Sequence, residues 1–235
     1  MNQIITQHGW GLDSSIWSDF SSQFNKHGWV WQNNERGYFY KSSKSSTWYK
    51  NNSSKKIRMA ICHSLGTHLI KKETILKASH IVLINSFYNF LPCNPHNRKF
   101  TLRALNRMRN KLVTNECRDM IEEFITKSYS PKYSNYNLED LSNINLQSIN
   151  KTSLINDFDK LFISNKPKKL FSDNVELLIL NSEEDKILDK EVSNEFIQML
   201  SETQNQRIKI IELKNQGHLI NKINLFQIVQ EWLNE

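Results

Sequence analysis

The chain has 235 residues, 38% of them hydrophobic, which is enough to bury the core of one α/β domain that carries an inserted subdomain. Its formal net charge is +7, which favours an acidic partner such as nucleic acid, an anionic membrane or an acidic protein without choosing among them. The mean hydropathy of -0.59, with no apolar run near the roughly 20 residues that cross a bilayer, argues against a membrane-spanning protein.

The first 90 residues alternate short apolar runs with amphipathic stretches. A helix is predicted to begin at Asp13 or Ser14, either of which can cap it, and to end at Gly28. A second helix is predicted over 67–72, and the segment 41–56 is predicted to be a surface loop with a short helix. This alternation is typical of strands and helices arranged around a parallel sheet. The predicted strands are 2–7, 29–31, 57–62 and 80–85.

The part of the chain after residue 90 begins with a long block that has no strand character. Residues 91–165 show helical periodicity, so we expect a helical insertion there. Strands are predicted again at 175–180 and 207–213, with a helix between them and a last helix at 225–233. The sequence therefore predicts an α/β core formed by residues 1–90 and 166–235, with residues 91–165 as a helical lid.

The strand that ends at Cys62 leads straight into a tight turn, Cys62-His63-Ser64-Leu65-Gly66, and then into a helix. This string matches the nucleophile elbow G-x-S-x-G except that Cys62 replaces the first glycine. The elbow strains the backbone of the serine, and small residues two positions before and after it let the strand and the helix pass closely. Ser64 is therefore the candidate nucleophile, although Ser-x-Gly also occurs by chance in turns and helix caps.

A glycine-rich string, His8-Gly9-Trp10-Gly11, follows the first predicted strand. At this place a serine hydrolase needs a backbone N–H that faces the nucleophile and stabilises an oxyanion. We expect the amides of Trp10 and Leu65 to be the two donors. The alternative interpretation is a plain glycine-rich β-turn.

Polar loops follow the two late strands. Asp185 comes after the strand at 175–180, and His218 comes after the strand at 207–213. The chain order Ser64, Asp185, His218 is the order of the triad in the α/β-hydrolase fold, whose central sheet is mostly parallel. His218 would accept the proton of the serine, and an ionised Asp185 would orient the imidazole. Three nearby acids compete with Asp185 for this role: Glu183, Glu184 and Asp189.

The stretch from His8 to Trp17, HGWGLDSSIW, together with His63-Ser64-Leu65-Gly66, Asp185 and Gly217-His218, resembles the pimeloyl-(acyl-carrier protein) methyl ester esterases of biotin synthesis. The resemblance implies an α/β-hydrolase that cleaves the methyl ester of a pimeloyl chain carried on an acyl-carrier protein and releases methanol. No cofactor and no metal are expected.

The sequence departs from this family in three ways. Cys62 replaces the usual glycine, which puts the geometry of the elbow in doubt. The chain starts at the strand before His8, so we expect a fold that is trimmed at its N-terminus. Asp189 stands where a proline is common after the acid loop, which is a minor difference.

Residues beside these motifs are expected to form the substrate site. His8, Gly9 and His63 flank the turn and the glycine-rich string, and we expect them to contact the substrate. Aromatic and aliphatic residues around the lid, above all Phe87 and Phe124, are expected to line an acyl channel, although most of them also fit an ordinary core.

Basic residues crowd the first part of the lid, with few acids among them. Because an acyl-carrier protein is strongly acidic, we expect this surface to dock it, with each contact contributing about 0.2–1 kcal/mol. The alternative is a solvated basic helix without a partner. The expected docking residues are Arg98, Arg103, Arg107, Arg109 and Arg118.

Two further functions stay open from the sequence. One is a general short-chain carboxylesterase or thioesterase of the same fold, and the other is a catalytically silent protein that binds nucleic acid or an acidic partner through the basic lid. The start of the chain has no secretory-signal pattern, and the three widely spaced cysteines fit free thiols, so we expect a cytoplasmic protein. We also expect a monomer that binds neither nucleic acid nor membranes.

Overall fold

Six strands form one sheet in the computed structural model, which describes residues 1–50, 56–131, 144, 146–166, 169–203, 207–220 and 223–235. The strand order is β2-β1-β3-β4-β5-β6, and all five pairings are parallel. Every predicted strand is present, with its ends shifted by at most two residues. The strands are β1 Gln3–Gln7, β2 Val30–Asn33, β3 Arg58–His63, β4 His80–Ile84, β5 Glu176–Ser182 and β6 Ile208–Leu213.

Helices connect the strands, and most of them lie where the sequence predicts them. The predicted helix over 67–72 is instead two short helices, because Ile70 between them has extended backbone, with a ψ of 143°. Residues 41–50 contain no helix and are held by a bridge between Lys44 and Glu35, while 51–55 lie outside the described residues. The helices are α1 Ser18–Lys26, α2 Gly66–Leu69, α3 Lys72–Leu76, α4 Pro95–Val113, α5 Cys117–Tyr129, α6 Lys151–Phe158, α7 Lys190–Thr203 and α8 Leu225–Leu233.

The sheet is covered on both faces, which explains why its central strands are nearly continuous apolar runs. Successive residues of a strand point to opposite faces, so Ile4 packs toward α1 and α8 while Ile5 packs toward α7. Each face has its own buried cluster. Because the helices take up both faces, polar side chains can gather only where the strands end.

The helices between β4 and β5, α4 to α6, cover the carboxyl ends of the strands, and we call them the cap. A third apolar cluster joins the cap to the core. One buried carboxylate, Asp157 on α6, also ties them together, because it accepts hydrogen bonds from Tyr38 Oη at 2.7 Å and from Arg36 Nε at 2.8 Å. None of the helices in the described part of the chain is long and apolar enough to span a bilayer.

Candidate active site

Ser64 lies at a sharp turn between β3 and α2. Its φ is +54°, in the left-handed region that residues other than glycine rarely adopt, and its amide donates to the carbonyl of Ile84 at 2.9 Å. A Cβ on Gly66 would clash with the carbonyl oxygen of Gln7, so only glycine lets α2 pass this close to β1. The turn forms with Cys62 at the first glycine position, and this side chain is fully buried among the apolar residues on one face of the sheet.

The ends of three strands bring Ser64, His218 and Asp185 into one row. The Oγ atom of Ser64 lies 2.9 Å from Nε2 of His218, and Nδ1 of His218 lies 2.7 Å from Oδ2 of Asp185. A carboxylate can only accept, so Nδ1 carries the proton and Nε2 is left to accept from the serine hydroxyl. The row has the connectivity of a nucleophile, a general base and an orienting acid.

The backbone holds the carboxylate of Asp185 in this row. Its Oδ1 accepts from the amides of Ile187 at 2.7 Å and Leu188 at 2.9 Å. Burial raises the pKa of this carboxyl, but the charge of His218 and the hydrogen bonds from His218 and the two amides outweigh burial, so the pKa lies below its usual value. Asp185 is therefore ionised at neutral pH.

The three competing acids stand apart from this row. Within the described residues, Asp185 is the carboxylate that hydrogen-bonds to the His218 ring. The Oδ1 atom of Asp189 instead accepts from the amide of Glu191 at 2.9 Å, at the start of α7. The amides of Glu183 and Glu184 bond to carbonyls of the β6 end and its loop.

Two side chains hold the backbone of His218. Asn85 Nδ2 donates to the His218 carbonyl at 2.8 Å, and His63 Nε2 donates to the same oxygen at 2.9 Å. Burial, reinforced by the charge of His218, lowers the pKa of His63 to about 3, so this ring is neutral at physiological pH. Sequence reasoning missed Asn85. The signal that could have found it is an asparagine directly after a buried strand, where a left-handed backbone is tolerated; its φ is +45°.

The loop that carries His218 also packs against the cap. The amide of Leu219 donates to the carbonyl of Ser128 at 2.8 Å, at the end of α5. A Cβ on Gly217 would clash with the carbonyl oxygen of Ser130, so the glycine is required for this close approach. The cap therefore helps to fix the position of the base as well as covering the site.

A cavity of about 440 Å³ opens beside Ser64, between the end of the sheet and helices α4 and α5. Ser64, Trp10 and Leu65 lie together in its wall, so the two residues expected to supply oxyanion donors border the nucleophile. The indole of Trp10 is anchored by a hydrogen bond to the carbonyl of Leu154 at 2.8 Å. The apolar part of the wall includes Phe90, Leu105, Met108, Met120, Phe124, Phe158, Leu161 and Ile187, and the charged part is Arg107, Lys111, Glu123 and Lys127.

Of the five residues expected at the substrate site, Phe124 lines this cavity. The other four lie away from its surface. His8 is fully buried, and its Nε2 lies 3.1 Å from the amide nitrogen of Arg36 and 3.2 Å from Oε1 of Glu35, contacts that fix the loop after β2. Gly9 packs against Ser64, and His63 contacts His218. Phe87 is buried edge-on against Phe90, which lines the cavity in its place.

The described part of the chain contains no group of three or more His, Cys, Asp or Glu side chains that could hold a metal ion. Besides His218, two histidines of the described residues are buried, His8 and His63, and each is engaged by neighbouring groups of the protein.

The five arginines expected to dock a partner fall into two groups. Arg103 and Arg107 are exposed on α4, and neither forms an ion pair within the described residues. The other three are already bonded inside the cap: Arg109 with Asp159 at 2.6 and 3.0 Å, Arg118 with Glu122 at 3.0 Å, and Arg98 with Ser164 at 3.1 Å.

No protein-family profile and no curated protein sequence matches the chain. Solved structures do resemble it. A bromoperoxidase from Bacillus anthracis gives a TM-score of 0.69 at 14% identity, over 99% of this chain and 91% of that protein. An enol-lactonase from Burkholderia xenovorans gives a TM-score of 0.69 at 13% identity, over 100% of this chain and 92% of that protein. A thermophilic esterase from Thermogutta terrifontis gives a TM-score of 0.63 at 13% identity, over 100% of this chain and 90% of that protein.

These likenesses cover nearly the whole chain at low identity, so they establish the fold. The chain has the α/β-hydrolase fold, as the sequence predicts. The cap helices occupy the span between β4 and β5, and the row of Ser64, His218 and Asp185 lies where the strands end.

Proposed function

We propose that the chain is a serine hydrolase that cleaves carboxylic esters. The observation that carries this proposal is the hydrogen-bonded row of Ser64, His218 and Asp185 at the wall of the cavity. Similarity to solved structures described as esterases, such as the one from Thermogutta terrifontis, supports the same class of reaction. A protein that only binds nucleic acid or an acidic partner has no need of this row.

In the first half of the reaction, the ester carbonyl lies in the cavity next to Ser64. Oγ attacks the carbonyl carbon while its proton moves to Nε2 of His218, and Asp185 stabilises the imidazolium that forms. The negative charge that develops on the carbonyl oxygen is stabilised by the amides of Trp10 and Leu65. His218 then gives the proton to the leaving alcohol, and an acyl group stays on Ser64.

In the second half, a water molecule replaces the alcohol. His218 takes one proton from this water, and the hydroxide attacks the acyl carbon. The proton then returns to Oγ of Ser64 as the carboxylic acid leaves, so the enzyme regains its starting state. The net reaction is ester plus water to acid plus alcohol.

Removal of the nucleophile or the base tests this proposal. We expect Ser64→Ala and His218→Ala to lower kcat for p-nitrophenyl butyrate by about 10⁴-fold or more, while both variants still fold. Ser201→Ala, which alters an exposed serine on α7, is the matched control and should keep full activity. Undiminished hydrolysis by Ser64→Ala would contradict the proposal.

We further propose that the natural substrate is the methyl ester of pimeloyl-(acyl-carrier protein). The motifs around His8, Ser64 and His218 support this choice, and so does the charge of the cap. On α4, exposed or half-exposed cations recur every four residues and so follow one side of the helix. We call them the basic stripe: Lys99, Arg103, Arg107 and Lys111.

The basic stripe leads to the cavity. Arg107 and Lys111 are part of both, and Lys127 on α5 adds a third cation at the cavity wall. The acid in the cavity wall is Glu123, whose Oε2 lies 3.5 Å from Nζ of Lys111. An acidic carrier docked on the stripe would present its acyl chain to the apolar wall, with the methyl ester at Ser64.

Growth without biotin tests this finer proposal. In a host that lacks its own pimeloyl methyl ester esterase, we expect the wild-type gene to restore growth and Ser64→Ala to fail. Failure of the wild type, together with fast cleavage of simple short-chain esters, would favour a general carboxylesterase, which the mostly apolar cavity would also serve. Preferential release of a free thiol from acyl thioesters would favour a thioesterase.

A further inference from the structure

The loop that carries His218 lies beyond the last residue of β6 and so beyond the hydrogen-bonded ladder of the sheet. It follows β6, which is an edge strand paired only with β5, and most of β6 is partly exposed. The position of the imidazole must therefore be set by contacts that the loop makes elsewhere. The general base of a hydrolase has to lie within hydrogen-bond reach of its nucleophile, and small displacements reduce the rate strongly.

Asn85 is fixed by β5 through three hydrogen bonds. Its backbone amide donates to the carbonyl of Leu180 at 2.9 Å, its Oδ1 accepts from the amide of Ser182 at 2.7 Å, and its Nδ2 donates to Oγ of Ser182 at 2.9 Å. From this position its Nδ2 reaches over the end of β5 to the carbonyl of His218, at 2.8 Å, and toward that of Gly217, at 3.4 Å. One side chain therefore links the ends of β4 and β5 to the loop after β6.

His63 provides the second donor to the same oxygen. The carbonyl of His218 can only accept, so the proton of His63 lies on Nε2, and the ring is neutral because burial disfavours its charge. Its ring centroid lies 4.8 Å from that of His218. Two donors from two different strand ends thus converge on one carbonyl, directly behind the catalytic imidazole.

We propose that Asn85 is a positioning residue which, together with His63, holds the carbonyl of His218 and so keeps Nε2 within reach of Ser64. Neither Asn85 nor His63 lines the cavity, so neither acts by binding the substrate. The inference rests on the proposed function, because it concerns the same serine and histidine.

Asn85→Gly is the most direct variant. Glycine adopts a positive φ without strain, so the change removes the two polar groups of the side chain and leaves the backbone free to keep its conformation. We expect kcat for p-nitrophenyl butyrate to fall by roughly 10–100-fold while KM stays within about twofold. Asn215→Gly is the matched control: Asn215 also has a positive φ, of 53°, but it is exposed and should lose less than about twofold.

His63 offers a test by conservative replacement. Gln can place a donor near the position of Nε2, whereas Leu has similar bulk and no donor. We expect His63→Leu to lose at least tenfold in kcat and His63→Gln to recover most of that loss. A residue needed only for packing would respond to both changes alike.

A second readout separates this inference from the proposed function. An alkyl fluorophosphonate reacts with an activated serine: the Oγ–P bond forms, fluoride leaves and the proton passes to His218, with no natural substrate required. We expect Asn85→Gly and His63→Leu to slow the labelling of Ser64 at least tenfold. If the wild type is labelled but cleaves no ester, slow labelling of the variants still supports the positioning role.

The opposite results would overturn the inference. Variants that lower the melting temperature but keep the wild-type labelling rate and kcat per titrated site would assign Asn85 and His63 a structural role only. A wild type that is not labelled at all would overturn this inference and the proposed function together.

Discussion

Two regions of the molecule are built from different kinds of contact. One is the carboxyl-terminal end of the sheet, where Ser64, Asp185 and His218 lie, and we call it the edge. The other is the outer surface of the cap. At the edge, the reacting side chains are buried and the backbone fixes them, as the left-handed φ of Ser64 and the two amides bonded to Asp185 illustrate. On the outer surface of the cap, Arg103 reaches into solvent, and Arg107 is exposed where this surface meets the cavity. In the proposed function, bond cleavage depends on the edge, and the choice of substrate depends on cap side chains that can be changed without disturbing the edge.

Asp185→Asn should have the largest effect, because it keeps the shape of the edge and removes a charge. An asparagine that donates to Nδ1 of His218 would leave the proton on Nε2, where it blocks acceptance from Ser64. We expect kcat for p-nitrophenyl butyrate to fall about 10³–10⁴-fold with little change in KM. Asp189→Asn, which alters an acid that caps α7, should stay within about twofold. Equal losses from both variants would mean that the acid has been misassigned.

Asp157→Ala should have the next largest effect, on stability rather than on the reaction. Asp157 is fully buried and accepts hydrogen bonds from Tyr38, Arg36 and Lys160, so its removal leaves the buried Tyr38 hydroxyl without this partner. We expect the free energy of unfolding, measured in urea, to fall by about 2–4 kcal/mol.

Asp159→Ala is the matched control for that change. Asp159 lies two residues further along and pairs with Arg109, but both side chains are 42% exposed. We expect a loss of only about 0–1 kcal/mol, because water competes for an exposed pair. If Asp159→Ala destabilised the protein as much as Asp157→Ala, the idea that one buried carboxylate anchors the cap to the core would fail.

The sequence predicts the edge better than it predicts the cap, for a physical reason. Ser64, Asp185 and His218 each follow a strand whose apolar run is visible locally, and parallel strands bring their carboxyl ends together. The acid that pairs with Arg118 is four positions away, at a spacing that the sequence shows, but the acid that pairs with Arg109 is 50 positions away. No local pattern shows that a distant acid neutralises Arg109. The link from Asn85 to the His218 carbonyl spans 133 positions and is hidden for the same reason.

Glu35→Gln tests a buried charge that supports the edge from the loop after β2. Burial raises the pKa of Glu35, but the hydrogen bond and charge of His8 and the amides of Gly37 and Ser14 outweigh burial and hold the pKa at about 2. A carboxyl with a lowered pKa contributes stability above its usual pKa, near 4.5, and this contribution is lost as pH falls toward 2. We expect Glu35→Gln to be about 1–2 kcal/mol less stable at pH 7.

The pH dependence sharpens that test. Because Gln does not titrate, the difference in unfolding free energy between Glu35→Gln and the wild type should shrink as pH falls from about 4.5 to about 2. Glu73→Gln, at an exposed position on α3, should match the wild type across the range. A difference that stays constant with pH would mean that the charge of Glu35 contributes nothing.

Neutralising Arg103 and Arg107, which form no ion pair within the described residues, should have the smallest effect, and this change tests the edge and the cap separately. Each exposed contact to an acidic carrier contributes about 0.2–1 kcal/mol, so Arg103→Gln with Arg107→Gln should lower kcat/KM for the carrier-bound methyl ester by about three- to tenfold. The loss should fade at high salt, because screening weakens exposed charge pairs. The same double variant should cleave p-nitrophenyl acetate within about twofold of the wild-type rate: Arg107 also lines the cavity, but Ser64 and His218 are untouched. Arg118→Gln removes a side chain that already pairs with Glu122, so it should leave kcat/KM unchanged for both substrates. Equal losses on both substrates would mean that the cap surface acts through the reacting row, and the division between cleavage at the edge and selection by the cap would not hold.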